Sequence, residues 1–268
     1  SSDADVMFVC QPTEAAESNQ EALQWSTEVI DKLQQLLKKP STDPPLEIDA
    51  DLRPEGKKGA LVRTLESYRT YYEEWAEPWE LQALLRAEPL AGDMELGQKF
   101  IEAVNPLRYP KKLPVQVTQQ IRRMKVRVET ERMPRGVDPS LHTKLGRGSL
   151  SDIEWTVQLL QLQHAYAYPE LQVTSTRAAL EAATQAGLLS LDDEDTLWIA
   201  WSRATSTRNA LALAKGRPLD VLPIQGDILS SVAAICGWPV NSGADYVENY
   251  LKSTRRARKV VERVFWEE

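Results

Sequence analysis

The chain has 268 residues, 42% hydrophobic, 26% charged and 7% aromatic, with a net charge of −7. These proportions exclude disordered, collagen-like and disulfide-scaffold classes, and the length predicts about two domains. The acidic balance excludes wholesale nucleic-acid binding through a basic surface. The charge is unevenly spread: residues 1–113 hold 13 basic and 21 acidic residues, whereas residues 114–268 hold 19 and 18. An acidic first part and a near-neutral second part predict two units with different roles. The two cysteines, Cys10 and Cys236, have no CxxC spacing and cannot build a disulfide framework. No run approaches the roughly 18 apolar residues needed to span a bilayer, and no signal peptide opens the chain, so the reading is a soluble, cytoplasmic protein with no membrane partner. The sequence starts without Met, at Ser1-Ser2-Asp3, and reads as a piece of something longer.

In chain order, Val6–Cys10 is a short apolar run that predicts a buried strand, with Cys10 acting as a small hydrophobe. Glu21–Lys39 carries Ala22, Trp25, Val29, Leu33 and Leu36 at helical spacing, and Pro40 ends that helix. Leu46–Arg53 alternates strictly between apolar and polar residues, which predicts a half-buried strand. A loop with two glycines, Pro54–Gly59, follows. Leu61, Leu65, Tyr68, Tyr72 and Trp75 then mark a helix, Pro78–Arg86 a short one and Met94–Val104 another. Asn105–Pro114 holds three prolines and no periodic pattern, so the expected division is 1–110 and 111–268. Everything beyond reads as helix. Val117, Ile121, Met124 and Val128 share a face, and Pro134–Ser149 is a Gly/Pro-rich connector. Ser151 with Glu154 matches a capping box. Further helices fall near 175–186, 193–214, 228–235 and 244–265. The expected fold is α+β, a small α/β unit followed by an all-α helical bundle.

Asp3-Ala4-Asp5 stands just before the first predicted strand, and an i, i+2 pair in extended backbone puts both carboxylates on one side. Asp49 lies on the polar face of the second predicted strand. If the two strands are neighbours, three carboxylates converge. Hard divalent cations such as Mg²⁺ take such oxygen ligands and leave water and substrate phosphates to complete the shell. Two such ions clamp the attacking and leaving oxygens of an in-line displacement at phosphorus. The same three residues also fit turn-capping acids and a solvated strand residue.

The surrounding residues carry a resemblance. Ser2-Asp3-Ala4-Asp5-Val6-Met7-Phe8 resembles the core of the polymerase-β-like nucleotidyltransferase superfamily. Ile48–Gly56, Trp79–Ala87 with Ala91-Gly92-Asp93, Lys144–Trp155 and Asn249–Arg258 are similar, in order, to segments of one branch, the glutamine-synthetase adenylyltransferases. The resemblance implies a truncated polymerase-β-like α/β domain and a protein built from two related halves. One half transfers AMP from ATP to a tyrosine of glutamine synthetase, and the other removes it by phosphorolysis. Because the chain ends as the family's second half ends, the reading is the transferase half. The resemblance places Mg²⁺ on Asp3, Asp5 and Asp49, with Asp49 also positioned to take the tyrosine proton. It places ATP near Ser2, Arg53, Lys144, Gly146, Arg147 and Gly148. A PII-type signalling protein is the implied second partner. The family's upstream Gly-Ser element is absent here, which predicts weak nucleotide binding by this chain alone, and Ser149 replaces a usual glycine. The rival readings are the deadenylylating, phosphorolytic half of the same family and a non-catalytic module that docks glutamine synthetase or the PII-type protein.

Supporting residues read as follows. Asp51 shares the face of Asp49 but falls further along the strand, outside the metal's reach. Arg53 suits either phosphate or a strand-end salt bridge, and Lys57 and Lys58 read as solvated. Arg122–Arg147 holds eight basic and three acidic residues, a local anion-attracting field. Within it Lys144, Arg147 and the Gly146 and Gly148 amides precede a helix N-terminus. The run Arg255–Lys259 reads as a solvated helix face, and His142 and His164 as structural.

Overall fold

A computed structural model describes residues 4–13, 18–39 and 48–267. Two compact units meet in sequence after Arg108.

The first unit opens with β1 (Ala4–Asp5) and β2 (Phe8–Cys10), followed by α1 (Asn19–Leu37), β3 (Ile48–Asp49) and β4 (Val62–Thr64). The pairings are parallel: β1 with β3, and β2 with β4 in the register Phe8↔Val62, Val9↔Arg63, Cys10↔Thr64. Parallel strands need a crossover, and α1 lies within both connections, from β1 to β3 and from β2 to β4. Ser18 caps α1 by accepting the Glu21 amide at 3.1 Å. Cys10 is buried, and its Sγ accepts from the Ser26 hydroxyl at 3.1 Å.

Two sequence expectations change here. The half-buried face of α1 is Ala22, Leu23, Ser26, Thr27, Ile30, Gln34 and Leu37. Apart from Ala22, the predicted stripe points away from the strands, and Trp25 is 66% exposed. Helical periodicity cannot choose between two apolar faces of one helix, and the smaller, mixed face is the one that packs on β2 and β4. The second difference is β4, which the periodic pattern merges into the following helix. Its three residues run straight into α2 (Leu65–Glu74), so Leu61 precedes the strand and only Leu65 opens the helix.

Thr64 caps α2 by accepting from the Ser67 amide at 3.2 Å. Then come α3 (Pro78–Leu84), with a capping box from Glu77 and Glu80, and α4 (Met94–Arg108). The core of this unit is Tyr68, Tyr72, Leu84, Phe100, Ile101 and Val104, packed with Met7 from the link between β1 and β2 and Val9 from β2. Tyr68 donates to the Phe8 carbonyl at 3.3 Å, and its ring meets Phe100 edge-on at 5.3 Å. Trp75, expected as a helix core position, is 70% exposed past the end of α2. α4 continues through Pro106 beyond its expected end. The buried Arg108 holds its last turn by donating to the Leu84 and Ala87 carbonyls at 2.9 and 3.0 Å.

The second unit is helical: α5 (Val115–Arg132), α6 (Leu150–His164), α7 (Thr176–Gln185), α8 (Leu191–Lys215), α9 (Asp227–Ile235) and α10 (Gly243–Val261), ending in a wide turn at Glu262–Trp266. The 25-residue α8 is central, packing on α6, α7, α9 and α10 through Leu197, Ala200, Ala204 and Leu211. Small residues along that line let the helix axes approach closely. Tyr246 and Tyr250 fill the space between α8, α9 and α10. The Tyr246 and Thr207 hydroxyls, 2.6 Å apart, satisfy each other inside this core. The expected capping box at Ser151 does not form. The cap of α6 is Ser149, two residues earlier, and Glu154 instead accepts from the Trp201 indole at 3.1 Å.

Candidate functional site

Strand pairing in the first unit sets Asp5 directly beside Asp49 in the parallel β1–β3 ladder, and the Val6 amide donates to the Asp49 carbonyl at 2.8 Å. Cα partners on neighbouring strands lie about 4.8 Å apart, and residues at one register level project to the same face. Two carboxylates, from positions 44 residues apart, therefore emerge side by side. Asp3 and Ser2 lie outside the described residues. Among the described residues, no three His, Cys, Asp or Glu side chains gather as a metal cluster.

Beyond Asp49 the backbone leaves the strand. The Asp51 amide donates to Asp49 Oδ1 at 2.8 Å, and the Arg53 amide to the Ala50 carbonyl at 3.2 Å. Residues 51–53 are therefore a turn, not the end of a strand, and Asp51 is displaced from the Asp49 line by the turn itself. This asparaginyl-type turn orients the Asp49 carboxylate and uses one of its oxygens. Asp51 pairs with Lys57 at 3.2 Å and Arg53 at 3.7 Å. The Arg53 guanidinium donates to the carbonyls of Ala50, Gly59 and Lys57 at 2.7, 3.1 and 3.2 Å. Of the two roles the sequence leaves open for Arg53, these contacts describe the structural one: the side chain staples the 50–59 loop. Gly59 is required there, because a Cβ would sit 1.9 Å from the Pro54 carbonyl oxygen.

The donor set fits a hard divalent cation. Asp5 and Asp49 offer oxygen ligands on one face, and water and phosphate oxygens complete such a shell. The adjoining loop carries Arg53, Lys57 and Lys58.

In the second unit, the loop 142–149 is organised by a buried histidine. His142 is 4% exposed, and its Nδ1 accepts the amides of Lys144 and Leu145 at 3.3 and 3.1 Å. Burial pushes its pKa below the ordinary value, which keeps Nδ1 an acceptor. The Gly146 amide donates to the His142 carbonyl at 2.8 Å, and the Gly148 amide to Asp152 Oδ2 at 2.6 Å. Both amides, which the sequence offers to an anion, are thus committed within the loop. Gly148 has φ +71°, and a Cβ on it would lie 1.9 Å from the Thr254 carbonyl oxygen. Its lack of a side chain lets α10 close over the loop. Lys144 and Arg147 alone point outward, both exposed.

Beneath the loop lies a buried ionic cluster that sequence reasoning misses. Asp152 pairs with Lys125 of α5 at 2.5 Å and Arg258 of α10 at 3.0 Å. Lys125 also binds Glu129, and Arg258 binds Glu262 at 2.9 Å. Asp152 and Lys125 are each 1% exposed. Burial pushes the Asp152 carboxyl up, but Lys125, the Gly148 amide and Arg258 together hold it below its ordinary range. Burial dominates at Glu129 and raises its pKa despite Lys125. Two expectations are corrected. Lys125 is no part of a solvent-facing basic field, and Arg258 is not on a solvated face. A signal exists for the first: Lys125 follows the buried Ile121 by four residues and so shares its face. The partner of Arg258 lies 106 residues away, beyond any local pattern.

The fold and site define an α+β chain whose α/β unit sets carboxylates on adjacent parallel strands and whose remainder is a helical bundle. Residues 1–103 match the family described as glutamate-ammonia ligase adenylyltransferase, and residues 116–267 the domain described as GlnD PII-uridylyltransferase. The chain is 53% identical over 265 residues to the bifunctional glutamine synthetase adenylyltransferase/adenylyl-removing enzyme of Mycobacterium avium, covering 98% of this chain and 26% of that protein. It is 53% identical to the protein of the same name from Nocardia farcinica and 51% identical to that from Corynebacterium diphtheriae, with 98% and 99% of this chain covered against 26% and 25% of theirs. The chain belongs to the glutamine synthetase adenylyltransferase family and spans about a quarter of the length of these relatives.

Proposed function

We propose that this chain is the adenylylating part of such a protein, transferring AMP from ATP to a tyrosine hydroxyl of glutamine synthetase in the cytoplasm. The observation that carries the reading is the Asp5↔Asp49 register in a chain of this family. Asp5 and Asp49, joined by Asp3, would hold Mg²⁺. Bound there, the cation supplies charge neutralisation for the polyphosphate and lowers the pKa of an oxygen that reaches it. The turn engages Asp49 Oδ1; Oδ2 would take the tyrosine hydroxyl proton as the tyrosine oxygen bonds to the α-phosphorus and the α–β phosphoanhydride bond breaks, releasing pyrophosphate. Arg53 and its three carbonyl contacts keep the loop after Asp49 in one shape, so the carboxylate does not need to be ordered during the reaction. Lys144 is an exposed loop cation suited to phosphate or to an acidic patch on the target. The helical unit is the surface on which glutamine synthetase or a PII-type protein would dock, in keeping with its match to the PII-uridylyltransferase domain. No helix among the described residues is long and apolar enough to cross a membrane.

The test is calorimetric titration of Mg²⁺ with a nonhydrolysable ATP analogue, on the chain and on Asp49→Asn, followed by AMP transfer to glutamine synthetase. Metal-dependent binding that Asp49→Asn abolishes, with AMP incorporated into a tyrosine, is the expected result. Unchanged binding in Asp49→Asn refutes the metal site. Phosphate-dependent release of ADP from the modified synthetase, without incorporation, assigns the chain to the removing reaction instead.

A further inference from the structure

A cleft of about 430 Å³ opens within the helical unit between α5, the 139–147 loop and the C-terminal turn, and none of the residues that line it belongs to the strands that carry Asp5 and Asp49. Val126, Met133, Leu145 and Trp266 give it apolar walls. Val126 is half exposed on α5, so this apolar surface is open to solvent.

The charged groups that reach the cleft are Glu129, Arg258 and Arg147. Glu129 is committed to Lys125, and Arg258 to Asp152 and Glu262. Arg147 makes no ion pair or hydrogen bond among the described residues. The surplus charge at the cleft is therefore one guanidinium, on a side chain that presents five donors in a fixed plane. Its backbone is held by the His142, Gly146 and Gly148 contacts and by the Asp152 cluster, so the loop need not be reordered when a ligand arrives. Small-molecule sites combine apolar walls with a few oriented polar groups in volumes of this order.

We propose that this cleft binds a small organic anion, its carboxylate or phosphate head on the Arg147 guanidinium and its apolar body against Val126, Met133, Leu145 and Trp266. Charge selects the head, since the other ions at the cleft are already paired. The walls select the body, since bare phosphate or acetate would leave Val126 and Leu145 in water. Neither metal nor ATP at the carboxylate pair is needed for this binding, so it stands or falls independently of the transfer reaction.

Phenyl phosphate and phenylacetate serve as probes, titrated by calorimetry into the 268-residue chain. Inorganic phosphate, acetate and uncharged benzyl alcohol are the controls. A saturable 1:1 isotherm is expected for at least one aromatic anion, with a dissociation constant on the order of 1 mM or tighter. The controls should bind at least tenfold more weakly. Which aromatic anion wins identifies the head group as phosphate or carboxylate. Arg147→Met should weaken binding tenfold or more, Arg147→Lys less, and Val126→Asp should abolish it. Circular dichroism and thermal unfolding should be unchanged in the Arg147 variants, because that side chain has no partner among the described residues to lose. Equal binding by Arg147→Met, inorganic phosphate as good as phenyl phosphate, or no saturation by either probe at 20-fold that concentration would each overturn the proposal.

Discussion

Asp152→Ala probes a place where three helices and a loop depend on a single side chain. In the native structure Asp152 accepts the Gly148 amide at 2.6 Å and binds Lys125 and Arg258 at 2.5 and 3.0 Å. The losses are unequal. Arg258 is 20% exposed at its side chain and keeps Glu262, so water and one carboxylate replace what it loses. Lys125 is 2% exposed at its side chain and keeps only Glu129, whose burial already disfavours ionisation. The Trp155 and Phe265 rings, 5.8 and 5.9 Å from Nζ, offset part of the deficit. Stranding one partner of a buried pair costs about 3–5 kcal/mol, much of it the penalty of the ion left behind. Lys125→Met removes that ion. In the double variant the penalty should shrink, giving a coupling of about 2 kcal/mol between the two sites. Urea unfolding followed by circular dichroism at 222 nm reads all three variants. A loss below about 1 kcal/mol for Asp152→Ala, or additive losses in the double variant, would refute the claim that Lys125 depends on Asp152.

Three further outcomes follow from the same geometry. Gly148→Ala should cost about 3 kcal/mol or more in urea unfolding, since φ +71° and a Cβ 1.9 Å from the Thr254 oxygen oppose any side chain; Gly136→Ala, at a similar φ with open space around it, should cost roughly 1 kcal/mol. His142 has a lowered pKa in the folded chain, so its contribution to stability is complete above its ordinary value of 6.5 and falls as pH drops through the folded value. Thermal unfolding should therefore decline between pH 6.5 and 5 in the native chain, and less steeply in His142→Gln, with His164 accounting for the remaining slope. Trp25→Ser should change stability by no more than about 0.5 kcal/mol, whereas Tyr68→Ala, wholly buried against Phe100, should cost about 3–5 kcal/mol. A large loss from Trp25→Ser would mean that the outer stripe of α1 is packed.

Much of the architecture is legible in the chain alone. The second unit's helices are announced by long periodic runs; in the structure Ser175 and Ser190 cap the start of α7 and α8, and Gly216 caps the end of α8. Asp5 and Asp49 stand out because both lie on short runs with strand character. The family is readable because its segments recur in order along the whole length.

Other features depend on partners far apart in sequence. Whether Asp5 and Asp49 meet is a question of register, and the answer lies in the parallel β1–β3 ladder, 44 residues across. Periodicity offers two apolar faces on α1, and only packing on β2 and β4 selects the inner one. Arg258 sits in a basic run that reads as solvated until α10 lies over the 142–149 loop and brings Asp152 to it. Local sequence determines where backbone can curl or extend, because propensity and capping act within a few residues. Burial and charge pairing are set by whatever the fold carries into contact, and a lysine or arginine has the same intrinsic chemistry on either side of that event. The tertiary structure therefore decided which ions became the core of the helical unit and left Arg147 without a partner among the described residues.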